Sequence, residues 1–306
     1  MASVEVLPPI LDPCCGSRCF YFNKEDKRVL CCDIREENRI IGKNRTCFVK
    51  PDRIQDFRHQ PAEWTNAFDA VFFDPPHLTH AGDNAWLRAK YGVLDPETWP
   101  QYLGVGFSEC LRVLKPLSPL IFKWNDYYIT LPDVLKSAPA VPLMDIHGSK
   151  RAKTHYVLFA KDAEPQSPSV LDWTFGRGCR FYDSPQRPDF LKKRGHVFWK
   201  MPYDWTGRFS TVILNPPPLT DSGWHAETWQ NDLVEAFSES FRVLRPNGSL
   251  IFVWNEWKVP LSDILTCTKR VPVIGNRLPT KAKLHFLYFI KRSEDWENLS
   301  QGELFL

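Results

Sequence analysis

At 306 residues, 43% hydrophobic, 25% charged and with a net charge of +3, the chain has the balance of a folded globular protein, which excludes the disordered and fibrous classes. No uninterrupted apolar run approaches about 18 residues, and Met1 to Asp12 lacks the basic start and long apolar core of a signal peptide, so neither a membrane span nor secretion is expected. The nine cysteines are odd in number, include the adjacent pairs Cys14-Cys15 and Cys31-Cys32, and nowhere show the two-residue gap of a zinc ribbon. They read as core residues of a protein in a reducing compartment, cytoplasmic or nuclear, and no metal site is expected. Mild basicity with twelve tryptophans and nine tyrosines permits a nucleic-acid partner without demanding one.

In chain order, Leu7 to Leu11, Val29 to Cys32, Ala70 to Phe73 and Leu120 to Trp124 are short runs apolar on both faces, the pattern of buried parallel strands. Between the last two, Leu103, Phe107, Cys110, Leu111 and Leu114 fall at helical spacing and predict a helix over Pro96 to Leu114. Leu78 to Trp99, which carries Arg88, Lys90 and Tyr91, is long, polar and aromatic, and reads as a loop over a binding site. The same order then returns as Val170-Leu171, Val197 to Trp199, Val212 to Leu214, a helix over Thr228 to Leu244, and Leu250 to Trp254. Alternation of strand and helix implies an α/β fold with mostly parallel sheets.

The second series repeats the first in detail. Ile10-Leu11-Asp12 with Gly16 and Cys19 matches Val170-Leu171-Asp172 with Gly176 and Cys179 at an offset of 160. Phe68 to His77 matches Phe209 to Pro218 at an offset of 141. Phe107 to Pro116 and Leu120 to Asn125 match Phe237 to Pro246 and Leu250 to Asn255 at an offset of 130, and Lys153-Thr-His155 pairs with Lys283-Leu-His285. The repeat predicts two domains, 1–162 and 170–306, joined by the polar, proline-bearing linker 163–169 and packed together as an intramolecular pseudo-dimer. Because its counterpart persists in a half that departs at other site positions, His155 is expected to be structural.

In an open α/β sheet, ligands bind outside the carboxyl ends of the strands, where Asp12, Asp33, Asp74 and Asn125 stand. Any one of these could simply cap a helix, but four at successive strand ends favour a site. After the first strand, Asp12-Pro13-Cys14-Cys15-Gly16 forms a tight turn that lets backbone approach a ligand, and no phosphate loop of the Walker type occurs. Asp74-Pro75-Pro76-His77 fixes the backbone and removes two N–H donors. A carboxylate and free carbonyls there can accept the N–H protons of an amine, and the His77 ring can stack on a planar partner.

This layout resembles the class I S-adenosylmethionine (SAM)-dependent methyltransferases, within them the amino-methyltransferases whose signature is [D/N/S]-P-P-[Y/F/W/H], here D-P-P-H. It is particularly similar to short phage and bacterial methyltransferase-like proteins over most of residues 7–161, and more loosely over 169–292. The resemblance implies two tandem Rossmann-like domains and SAM as cofactor. Asp12, Pro13, Cys14 and Gly16 would surround its methionine part, Asp33 its ribose and Asp56 its adenine. Asp74, Pro75, Pro76 and His77 would hold the methyl acceptor, with Lys123, Trp124, Asn125 and Arg88 lining the substrate site. The expected reaction is N-methylation, with adenine N6 in RNA or DNA as the first acceptor. SAM breakdown without an acceptor, or a non-enzymatic scaffold binding nucleic acid or protein, are the alternatives.

The second half departs from this pattern. Asn215-Pro-Pro-Pro218 has no ring at its fourth position, and Lys200 stands where an equivalent of Asp33 would fall. Gly176 to Phe209 spans 33 residues against 52 from Gly16 to Phe68, a deficit of 19. A degenerate, non-catalytic domain is therefore expected, one that shapes substrate binding.

Overall fold

The computed structural model describes residues 6–41, 45–82, 85–147, 153–161, 169–174, 179–181, 191–192, 200–216, 228–256, 258–275 and 284–292. The chain divides into two compact units, Met1–Ala163 with Cys179–Gln186, and Glu164–Gly178 with Arg187–Leu306. The expected strand at Val197 to Trp199, the Gly176 turn and most of the 163–169 segment lie outside the described residues.

In the first unit the apolar runs form β1 (Ile10–Asp12), β2 (Val29–Asp33), β6 (Ala70–Phe73) and β7 (Pro119–Asn125). Every residue of β1, β2 and β6 is buried, as strands covered on both faces require. A two-residue strand β5 (Arg53–Ile54) follows the hairpin β3 (Glu37–Ile41) and β4 (Arg45–Val49). Beyond β7 come β8 (Met144–His147) and β9 (Thr154–Ala160), and β11 (Cys179–Phe181) joins the edge. The order is β5-β2-β1-β6-β7-β9-β8-β11, parallel from β5 through β7, with β9 antiparallel to both its neighbours. The chain runs outward from β1 to β2 and β5, then returns to place β6 on the other flank of β1. That reversal makes the carboxyl ends of β1 and β6 a topological switch point.

Helix α2 (Trp99–Val113) buries Leu103, Gly106, Phe107, Cys110 and Val113 against the sheet, with Leu111 only partly buried. Gly106 is needed for contact: a Cβ there would lie 2.6 Å from Phe57 Cε2 and 2.9 Å from Phe73 Cζ. The segment read as a loop contains a short helix, α1 (Trp86–Tyr91), whose Ala89 packs on Cys47 and Val49 of the hairpin. A further short helix, α3 (Leu131–Leu135), is capped by Thr130, whose hydroxyl accepts from the Asp133 N–H.

The second unit contains β10 (Val170–Thr174), β12 (Leu191–Lys192), β13 (Phe209–Asn215), α4 (Trp229–Val243), β14 (Leu244–Asn255), α5 (Leu261–Leu265), β15 (Ile274–Gly275) and β16 (Leu284–Ile290). Its sheet runs β12-β10-β13-β14-β16-β15, parallel through β14 with β16 antiparallel. This is the order of the first sheet from β2 to β8, and among the described residues nothing stands in the places of β5 and the β3–β4 hairpin.

Internal contacts recur at the offsets seen in the sequence. In the first unit Arg112 bonds Glu109 at 2.7 Å, Thr65 Oγ1 at 2.6 Å and the Gln60 carbonyl at 2.9 Å. In the second, Arg242 bonds Glu239 at 2.8 Å, Thr206 Oγ1 at 2.7 Å and the Met201 carbonyl at 2.9 Å. Trp124 Nε1 donates to Ile129 O at 3.0 Å, as Trp254 Nε1 donates to Val259 O at 3.1 Å. Among the described residues, no helix is long and apolar enough to cross a membrane.

Overpacking at Gly106 should outweigh the gain in helix propensity, so Gly106→Ala is expected to lower stability by about 1–3 kcal/mol. The neighbouring exposed change Val105→Ala should stay within about 0.5 kcal/mol. Urea unfolding of both variants checks this, and an unchanged midpoint for Gly106→Ala would refute the close packing.

Candidate active site

Asp12 ends β1 with no solvent exposure. Its carboxylate accepts from Tyr21 Oη at 2.6 Å and from the Cys14 N–H at 3.1 Å. Burial raises its pKa to about 7 against the lowering effect of these two bonds, with Asp74 and Asp33 adding to the rise. Asp12 therefore shapes the Pro13-Cys14 turn from inside. Gly16 sits at φ +48, and its N–H donates to Asp33 Oδ2 at 3.0 Å. Arg18, also at positive φ, pins the loop through Lys24 O at 2.6 Å, Lys50 O at 2.9 Å and Asp52 at 3.0 Å.

Asp33, at the end of β2, also meets Arg35 through the backbone N–H at 3.2 Å and Nε at 3.4 Å. Burial outweighs these partners and raises its pKa. Asp56 lies just beyond β5 and is gripped by Arg58 through Nε at 3.1 Å and Nη2 at 2.6 Å. There burial loses to Arg58, and the pKa is lowered. The Arg58 guanidinium lies 4.5 Å from the centre of the Tyr102 ring.

Beside these ends, a cavity of about 550 Å³ is lined by Asp74, His77, Tyr91, Lys123, Trp124 and Asn125, together with Tyr127, Tyr128 and Lys153. The structure thus brings together on one wall most of the residues expected to hold an acceptor. Lys123 Nζ donates to Asp74 Oδ2 at 2.6 Å and lies 5.0 Å above the Phe20 ring. Burial opposes its charge, but Asp74 outweighs burial and holds the ammonium above its ordinary value. The His77 ring meets Tyr91 at 5.2 Å and the edge of Trp124 at 6.2 Å. Burial, assisted by Lys123, lowers the His77 pKa and favours the neutral ring, against Asp74 and a bond to the Pro75 carbonyl. Gly92, at φ +72, lets the end of α1 settle on Pro76, whose Cγ would meet a Cβ there at 3.1 Å. Arg88 lies outside the cavity wall and donates to Ala81 O at 3.1 Å.

A second cavity of about 710 Å³, lined by Trp99, Pro100, Lys136 and Thr79 among others, shares Tyr128 with the first. His155 is clasped by Asp145 at 3.1 Å and Asp126 at 3.3 Å, a structural junction that raises its pKa even though burial opposes it. Sequence reasoning missed Tyr21, which reaches back nine residues to Asp12, and Arg35, whose helix-end partners Ala89 and Lys90 lie 54 and 55 residues on. It placed Lys123 at the site without its ion pair.

In the second unit, Asn215 stands where Asp74 stands, and Val253 where Lys123 stands. Both positions of the ion pair are neutral there. Asp172 remains, buried in β10.

No known protein family matches the chain, and no curated protein matches it. Among solved structures, a point mutant of the 16S rRNA (adenine(1408)-N(1))-methyltransferase from Catenulisporales acidiphilia is 16% identical, at a TM-score of 0.22. The match covers 37% of this chain and 59% of that one, so the chain spans less than two thirds of that structure. The 16S rRNA N2 G1207 methyltransferase of T. thermophilus is 11% identical over 78% of this chain and 76% of that one, at 0.23. Phosphoethanolamine N-methyltransferase 2 of Haemonchus contortus is 8% identical over 66% and 65%, at 0.21.

Folded Asp12 keeps its proton to about pH 7, whereas the unfolded chain releases it near 3.8. Its contribution to stability is therefore full below 3.8 and is lost as pH rises through about 7, a span worth about 4 kcal/mol. Asp12→Asn, which can still accept from Tyr21, should lack this slope and gain on the wild type between pH 5 and 7.5. Parallel pH dependences in urea unfolding would show that Asp12 is not buried as described.

Proposed function

We propose that the chain is a SAM-dependent N-methyltransferase that acts on an amino group, with its catalytic site in the N-terminal half. The observation that carries this reading is the Asp74-Pro75-Pro76-His77 corner at the switch point. There a carboxylate, an aromatic cavity and the Gly16–Asp33 turn meet at adjacent strand ends. The groups present suit the cofactor: Asp33, held by Gly16 and Arg35, would accept from ribose hydroxyls, Asp56, held by Arg58, from the adenine amine, and the turn Asp12 to Gly16 would bring backbone to the methionine part. Bound there, SAM would supply an electrophilic methyl group and leave as S-adenosylhomocysteine, while the methylated nitrogen loses a proton to solvent.

The chain's own residues do the rest. Lys123 occupies Asp74 Oδ2, leaving Oδ1 to accept an N–H of the incoming amine and orient its lone pair. Asp74 also stabilises the positive charge that develops on that nitrogen. The Pro75-Pro76 backbone offers carbonyls without competing N–H donors. The neutral His77 ring, Trp124 and Tyr91 favour a planar acceptor, which we assign to adenine N6 of RNA or DNA. The adjoining cavity across Tyr128, with Trp99 and Lys136, suits a neighbouring nucleotide of a polymer. The second half acts as a non-catalytic partner, because the Asp74–Lys123 pair is replaced by Asn215 and Val253.

Incubation with methyl-labelled SAM and separate RNA, DNA and protein fractions tests the reaction: label retained in nucleic acid is expected, and none in any fraction would overturn the reading. Calorimetry with SAM should give a stoichiometry near one per chain, and two equivalent sites would contradict a degenerate second half.

Asp74→Ala should lower transfer by about 100-fold or more and leave SAM affinity within a few-fold, since its contact is made to the acceptor. Asp33→Ala should instead weaken SAM binding by about 10- to 100-fold. Asn215→Ala should change neither by more than a few-fold. If Asn215→Ala is folded yet as inactive as Asp74→Ala, the roles of the two halves must be exchanged.

A further inference from the structure

Helix α1 has six residues, too few to persist on its own, yet it carries Tyr91 and Leu87 into the wall of the Asp74 cavity. What holds it is concentrated on its last turn, where helix carbonyls lack partners within the helix. Arg35 Nη1 donates to Ala89 O at 2.5 Å and Nη2 to Lys90 O at 3.0 Å. A guanidinium at a helix C-terminus also meets the negative end of the helix dipole. Cys47 Sγ adds a weaker contact to Ala89 O at 3.5 Å, and the Leu94 N–H binds Leu78 O at 2.7 Å.

The same Arg35 begins at the other site. Its Nε reaches Asp33 Oδ1 at 3.4 Å and its backbone N–H reaches the same oxygen at 3.2 Å, while Gly16 N–H holds Oδ2. Glu37 stands 3.7 Å from Nη1. One planar side chain therefore spans the carboxylate at the end of β2 and the carbonyls beneath Tyr91. Only arginine has the forked donors to do this; a lysine ammonium is a single point.

We infer that Arg35 is a positioning residue that couples the two sites, so that a ligand on Asp33 orders α1 and with it the Tyr91–His77 wall of the acceptor cavity. This rests on the cofactor reading of Asp33 given above. Hydroxyl donors on Asp33 would fix its carboxylate and exclude water, and a fixed, less screened anion holds the guanidinium where it caps α1. The coupling makes the acceptor wall complete only when the first ligand is in place, and by linkage an acceptor would strengthen that ligand's binding by the same factor.

The test uses the full chain with S-adenosylhomocysteine as the probe, its affinity measured by calorimetry and the amide exchange of residues 86–92 followed with and without it. In the wild type, saturating probe should slow exchange across 86–92 by about 5-fold or more, the lower end of typical coupling. In Arg35→Lys and Arg35→Gln the probe should bind within about 10-fold of wild type while 86–92 exchange no longer responds. Binding to the wild type with exchange at 86–92 unchanged overturns the coupling alone. So does full protection in either variant. Absence of binding to the wild type overturns the cofactor reading and the coupling together. Should both variants fail to fold, the comparison of wild type with and without probe still decides.

Discussion

A buried carboxylate has to be partnered or protonated, and the switch point of the first sheet gathers Asp12, Asp33, Asp56 and Asp74 at adjacent strand ends. Each meets the requirement differently. Asp12 is sealed beneath Tyr21 and its affinity for a proton rises; Asp56 is neutralised by Arg58. Asp33 shares Arg35 with a helix end, and Asp74 shares Lys123 with a cavity. Asp74, beside Lys123, lines the cavity proposed for the acceptor. Division of labour among chemically identical groups thus follows from their partners.

Much of this was legible in the sequence because buried parallel strands are apolar on both faces. β2 and β6 begin where the runs at Val29 and Ala70 begin, and α2 follows the spacing of Leu103, Phe107 and Cys110. The strand-end carboxylates were then placed by topology. The hairpin β3–β4 escaped because it stands outside the main sheet, with Ile40 and Phe48 exposed and Cys47 and Val49 buried. Helix α1 escaped because six residues with one buried position, Ala89, leave no periodic signal. Partners were the least legible. Arg35 and Ala89 are 54 residues apart, Lys123 and Asp74 49, and no local spacing announces either contact.

What recurs between the halves is the machinery of folding. The arginine clamps at Arg112 and Arg242 bind the same kinds of groups at matched positions, each tying a long helix to the loop before a central strand. The tryptophans at 124 and 254 each bond a carbonyl five residues on. Such contacts hold a sheet edge and helix in register whatever the site does, so they bear on stability, and their persistence is silent about catalysis.

The Asp74–Lys123 pair behaves otherwise. A partly buried ion pair gains little over neutral groups of similar size, because desolvation consumes most of the attraction. Removing one member alone is the costly step, since it strands the other charge. A half without use for the charge would therefore be expected to have neutral residues at both positions, and Asn215 with Val253 is that combination. In the first half the pair stands at 2.6 Å on the wall of a cavity and not sealed in the core. Stability gives little reason to keep it there, whereas the amine acceptor proposed above, which must be oriented and relieved of developing charge, would give a direct one. Two halves that share the central strand order and the same clamps thus differ at this pair, and the difference is what favours the first half as the seat of the proposed reaction.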